Sequence, residues 1–193
     1  MRIIQYPHPT LRHVSKPLRR VDEELRAMVQ EMLGLMYAAQ GIGLAANQVD
    51  LPYRMFVLNV TGESSHSEAE MVFLNPVITT RKGMEEAEEG CLSLPGVFGQ
   101  VKRPDKINVA FYDLEGQAHD LELTGLAARA VQHEVDHLDG TLFIDRLTPT
   151  GRLEIKQALD EFETQFAGQR SRGELPSDEQ VAARLAELER QRT

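Results

Sequence analysis

His133-Glu134-Val135-Asp136-His137 carries two imidazoles four residues apart with a carboxylate between them. On a helix, positions i and i+4 stack on one face, so both rings can hold a single metal ion. Glu134 cannot join that pair from its place on the helix, but it can reach a water on the metal. A lone histidine on an apolar face is usually a satisfied core residue. Two at this spacing around a glutamate are much less often accidental. The string implies a metal-assisted hydrolase and lacks a third ligand.

A catalytic site of this kind needs three protein ligands and one open position. The extended pattern H-E-x-x-H-x-x-G-x-x-H is met at Gly140, but its third histidine is replaced by Phe143, which excludes that family. A downstream carboxylate would serve instead, and Glu154 and Glu161 lie at suitable distances along the chain. The other candidate is Cys91, the only cysteine. A lone cysteine is usually a small buried apolar residue. Here it follows Gly90 and precedes a short apolar stretch ending in Pro95-Gly96, which reads as a tight bend at a strand end. A thiolate with two imidazoles makes a Cys-His-His site with room for water.

A further segment, Gly41-Ile42-Gly43-Leu44-Ala45-Ala46-Asn47-Gln48, has glycines at i and i+2 that permit close backbone approach. Its spacing fits no phosphate loop, and no Lys or Ser follows the glycines. Gln48 offers a neutral amide, both donor and acceptor, at its end.

These groups need elements to position them. Thr124 is placed to cap a helix carrying the H-E-x-x-H string. At about 100° per residue, Leu126, Ala130, His133 and His137 fall on one stripe. Ala127, Val131, Val135 and Leu138 form a neighbouring core face. Ala128, Gln132, Asp136 and Asp139 take the far side. Glu134 falls between stripe and core, where partial dehydration raises a carboxyl pKa and suits a proton shuttle.

Asp22 caps an earlier helix, with Glu23 and Glu24 in its first turn and Leu25, Met28, Val29, Met32, Leu33 and Met36 on one face, ending near Gly41. Those methionines, with Met55, read as core filler. Residues 54–60, 71–80, 106–112 and 118–123 read as strands, with a polar loop at 61–70 and a hairpin turn at 113–116. A helix is expected from about Gly151 to Phe166, then a Gly/Gln/Arg/Ser/Pro linker over 167–177. A solvated, loosely docked tail helix follows at 178–191, with Val181, Leu185 and Leu188 on one side. The expected class is α+β: a mostly antiparallel sheet packed around a central helix carrying the motif, plus N-terminal and C-terminal helices.

With 30 acidic against 21 basic residues, the net charge of −9 argues against nucleic-acid binding through overall charge, so no DNA partner is expected. No apolar run approaches the roughly 20 residues of a membrane helix, and the N-terminus lacks a secretion-signal core. One cysteine suits the cytoplasm.

GIGLAANQ at 41–48, EGCLS at 89–93 and QHEVDH at 132–137, in this order and spacing, resemble the peptide deformylases. YPHPTLR near the start and the DHLDG run after the motif also look like that family. The resemblance covers about residues 1–166, read as the catalytic domain, and leaves 167–193 as linker and charged tail. It implies that Cys91, His133 and His137 hold the metal, typically Fe(II), with zinc, nickel or cobalt also accepted. It implies Glu134 as proton carrier, and Gln48 with the Leu92 N–H as oxyanion donors. The substrate would be the formyl-methionyl end of a nascent polypeptide, reached by transient ribosome contact in a bacterial-type cytoplasm. The helix stripe adds an apolar slot for the methionine side chain, built from Leu126, Ala130 and Ile42, with Gly43, Glu89 and Gly90 completing the pocket. The peptide backbone would pair along the glycine loop as an added strand. Gly96-Val97-Phe98-Gly99 lacks an arginine that some family members place there, which bears on the outer substrate contacts. A catalytically silent ribosome-binding relative would be expected to have lost one of these site residues, and all are present.

Overall fold

The mixed polar and apolar alternation after residue 42 resolves into seven strands in a computed structural model that describes residues 1–193. Five form one antiparallel sheet in the order β1 (Gly43–Ala45), β2 (Met55–Leu58), β3 (Met71–Lys82), β6 (Lys106–Tyr112) and β7 (Ala118–Thr124). Two more, β4 (Glu85–Cys91) and β5 (Leu94–Arg103), form a separate hairpin. The strands expected from β propensity are all present. β1, β4 and β5 are additions, because β1 is three residues long and β4 reads Glu-Glu-Ala-Glu-Glu-Gly-Cys, which hides any alternation.

Helix α1 (Glu23–Ala38) starts where Asp22 accepts the Leu25 N–H at 2.9 Å. Its Leu25, Val29, Met32 and Met36 pack with Leu44, Val57 and Leu74 on one side of the sheet. Met32, Met36 and Met55 are buried there, and Met28 is packed against the same cluster. On the other side α2 (Gly125–Leu138) presses Val131, Val135 and Leu138 onto Phe56, Phe73, Ile107 and Val109. The sheet is therefore sandwiched between α1 and the motif-bearing helix. A third cluster joins the β5 residues Leu94, Val97 and Val101 to Leu142, Phe143 and Ile144. The α+β class and the central helix match the expectation.

The far side of α2 is largely buried: Ala128 packs with the sheet residues, and Arg103 at the end of β5 pairs with Asp136. Three local readings change. Thr124 occupies the cap position of α2, but its side chain makes no cap hydrogen bond. The C-terminal helix is two helices, α3 (Pro149–Glu154) and α4 (Lys156–Ser171), and α4 runs through residues expected as linker. The tail helix α5 (Asp178–Arg192) is docked, with Val181, Leu185 and Arg192 buried. Its charge misled, since Arg192 is neutralised in place by Asp22 and Glu24. No helix is long and apolar enough to cross a membrane.

Candidate active site

α2 carries His133 and His137 one turn apart, and β4 delivers Cys91 at its last residue, where the hairpin turns through Leu92 and Ser93 into β5. The Cys91 Sγ lies 3.3 Å from His137 Nε2, and the two Nε2 atoms lie 3.2 Å apart. Tetrahedral coordination with bonds of about 2.0–2.3 Å requires ligand atoms to stand about 3.3–3.6 Å apart, so the donor set fits one small divalent cation. No other cluster of histidine, cysteine or acidic side chains in the chain has such geometry. Glu154 and Glu161 are exposed on α3 and α4 and supply no third ligand, which removes the endopeptidase alternative. Phe143, the residue that broke the longer histidine pattern, packs its ring against His133 at 6.3 Å.

The ligands are held from behind. Glu89 Oε2 stands 3.1 Å from His133 Nδ1. Burial raises the Glu89 pKa, but the bond to His133 and the Arg103 guanidinium outweigh it and bring the carboxyl down to about 2. Arg103 spans Glu89 and Asp136, and Arg129 adds a second cation on Glu89 at 2.7 Å. Burial lowers the His133 pKa, but contacts with Cys91 and Glu89 push it up to about 10. His137 is lowered by burial and by the neighbouring His133 charge. Arg103 and Arg129 were not visible as site residues in the sequence, because an isolated arginine on a strand or helix carries no pattern.

Glu134 is buried, and its Oε2 has no hydrogen-bond partner. Burial drives its pKa up to about 7. It faces Gly43 so closely that a Cβ built there would lie 2.5 Å from Oε1. That contact explains the second glycine of the loop.

Gln48 sits on the single 3-10 turn Ala46–Val49 that follows β1. Its Oε1 accepts the Ala45 N–H at 2.8 Å, which turns Nε2 toward Cys91 Sγ at 3.4 Å and Ser93 Oγ at 3.3 Å. The amide donor thus points at the metal ligands. Asn47 beside it donates to the His137 carbonyl and ties the turn to α2.

One cleft of about 660 Å³ gathers the remaining residues. Ile42, Gly43, Gln48, Glu89, Gly90, Cys91, Leu92, Leu126, Ala130, His133 and Glu134 all line it. His137 lies behind them, almost fully buried. Leu126 is 56% exposed at the rim, whereas Ala130 is buried below it. Val97 and Phe98 of β5 also line the cleft, within the Gly96–Gly99 segment that the resemblance tied to the outer substrate contacts. β1 is the outermost strand of its sheet, so its free backbone edge borders the cleft.

A description of the polypeptide deformylase family matches residues 1–153. The chain is 49% identical over 189 residues to a peptide deformylase of Rhodopirellula baltica, covering 98% of this chain and 94% of that one. The chain belongs to the polypeptide deformylase family. It is also 40% identical to a peptide deformylase of Acinetobacter baumannii over 82% of this chain and 89% of the relative. Among solved deformylase structures, the Plasmodium falciparum enzyme superposes with a TM-score of 0.84 at 38% identity, covering 86% of this chain and 98% of that one. The Arabidopsis thaliana deformylase 1B gives 0.84 at 37% identity over 92% and 97% of the two chains. The family assignment agrees with the resemblance of the three motifs.

Proposed function

We propose that the Cys91–His133–His137 centre, Glu134 and Gln48 carry out the deformylase reaction in this chain. The protein is a metal-dependent hydrolase that removes the N-formyl group from the first methionine of new polypeptides and releases formate. The observation that carries the site reading is the convergence of one cysteine sulfur and two imidazoles, all within 4.8 Å of one another, with a buried carboxyl and an amide donor at their edge.

The ion, when bound, supplies the Lewis acidity that makes water a nucleophile near neutral pH. We infer Fe(II) as the working ion, as in the family, with zinc, nickel and cobalt as substitutes that the same donors accept. Glu134 takes the proton from the attacking water and passes it to the leaving amine. Its pKa near 7 suits both directions of transfer. The Gln48 amide and the Leu92 N–H donate to the oxygen on which negative charge develops. One such donor typically contributes about 3 kcal/mol of transition-state stabilisation.

The formyl carbon is unhindered, so a tight site admits it and excludes larger acyl groups. The methionine side chain enters the slot of Ile42, Leu126 and Ala130. The peptide backbone aligns on the free edge of β1 as an added strand. Such a substrate is met as it leaves the ribosome, by transient contact in a bacterial-type cytoplasm.

The deciding experiment is formate release from formyl-Met-Ala-Ser by protein prepared without air and loaded with Fe(II) or Ni(II). Release that depends on added metal is expected. No release by protein that demonstrably holds metal overturns the reading.

A further inference from the structure

The tail helix reaches the turn that carries Gln48. Asp50 ends that turn in the left-handed region, at φ +66°, where its backbone N–H closes onto Asn47 and Ala46. Three groups from outside the turn then fix it. Thr10 Oγ1 donates to Asp50 Oδ1 at 2.5 Å. Arg184 of α5 donates from one nitrogen to both the Asp50 carbonyl, at 2.8 Å, and its Oδ2, at 2.5 Å. On the other side of the turn, Ile4 N–H donates to the Gln48 carbonyl at 2.8 Å. The turn is therefore suspended between α2, through Asn47, and α5, through Arg184.

We propose that Arg184 is a positioning residue that sets the aim of the Gln48 amide. This rests on the reading of Gln48 as the oxyanion donor. The helix does not need Arg184 in order to dock. Val181 and Leu185 are buried under it, and Arg192 pairs with Asp22 and Glu24 at the far end. The Arg184–Asp50 pair is also partly solvated, at 44% and 26% side-chain exposure, and pairs of that kind add little to global stability. What it adds is a fixed end to a four-residue turn whose third residue must hold an amide in line with Cys91. Small misplacements at such a point are expensive: a shift of about 1 Å can cost on the order of 10² in rate. Residues 178–193 thereby gain a part in catalysis, although none of them borders the substrate cleft.

The test compares Arg184→Ala, Arg184→Lys and Arg192→Ala in the full-length, metal-loaded enzyme. Arg184→Ala is expected to lower kcat by about tenfold with KM and metal content unchanged. Arg184→Lys should restore part of that loss, and Arg192→Ala should lower Tm while leaving kcat alone. A second readout is the Gln48 side-chain amide pair in the nitrogen-15 spectrum of zinc-loaded protein, assigned by its disappearance in Gln48→Leu. It should move in Arg184→Ala and stay in place in Arg192→Ala. An Arg184→Ala enzyme with unchanged kcat and an unmoved Gln48 amide overturns the proposal. So does an equal kcat loss in Arg192→Ala, which would mean that docking alone matters. If wild-type protein releases no formate, the deformylase reading fails, and the amide spectrum still decides whether Arg184 positions Gln48.

Discussion

Glu89 Oε2 sits 3.1 Å from His133 Nδ1 while both its oxygens are held by Arg103, so the residue two before the cysteine ligand orients a histidine on another element. This favours the tautomer that leaves Nε2 free to bind the ion proposed there. Glu89→Gln should weaken metal retention by roughly 10- to 100-fold. It should also destabilise the fold by about 3 kcal/mol, since Arg129 would lose its close carboxylate and Arg103 would be left with Asp136 alone. Metal content after dialysis against a graded chelator, with a denaturant melt alongside, measures both. Wild-type retention in Glu89→Gln would show that the contact is incidental.

Gly43→Ala should leave metal binding intact and cut turnover by about 10². The new methyl would lie 2.5 Å from Glu134 Oε1, and the flexible carboxyl would yield before the backbone does. Stability should therefore change little, while the carboxyl proposed as proton carrier leaves its place. Initial rates of formate release, read against the metal content of the same samples, separate these effects. Full activity in Gly43→Ala would mean that Glu134 has room the structure does not show.

Cys91→Ser replaces the thiolate with a weak neutral ligand at the end of β4. Metal content should fall sharply and activity with it. The expected count by elemental analysis is well below one ion per chain after desalting. A serine variant that keeps both metal and activity would point to a ligand set without Cys91.

The site was more legible in the sequence than its support. His133, Glu134 and His137 stand out by helical spacing, while Cys91 was one of several candidates for the third ligand and Gln48 only a polar residue after a glycine loop. The resemblance to a family then joined them. Arg103, Arg129 and Asp136 stayed hidden because a buried ion network is built from residues scattered over three elements, each of which alone reads as surface. The β4–β5 hairpin was missed for a related reason: its outer positions are acidic, and its turn is Leu92-Ser93, which carries no Gly, Pro, Asn or Asp turn signal. The tail was read as solvated because its charges dominate, although Val181 and Leu185 already marked the buried side.

Leu126→Arg tests the methionine slot. Leu126 stands at the rim of the cleft with Ala130 buried beneath it, so an arginine there would project charge over the opening without disturbing the core. KM for formyl-Met peptides should rise by about 10-fold or more, while metal content and Tm hold, as for loss of an apolar contact worth roughly 1–3 kcal/mol. Unchanged kinetics on formyl-Met-Ala-Ser would place the methionine elsewhere in the cleft.

Acid should loosen the Arg192 end of the tail helix while Val181 and Leu185 keep the helix docked. The Asp22 carboxyl is held below its ordinary value of 3.8, first by the Leu25 N–H and then by Arg192. The folded state thus binds fewer protons than the unfolded chain between the lowered value and 3.8. The stability from this contact is complete above 3.8 and is lost as pH falls through the lowered value. The wild-type chain and Asp22→Asn should therefore differ in Tm near neutrality, and their curves should converge as the pH falls through the lowered value. Amide exchange in the last turn of α5 should quicken over the same range, because Arg192 loses one of its two partners at the start of α1. Parallel Tm curves for the two proteins at every pH would show that Asp22 gains nothing from Arg192 in the folded chain.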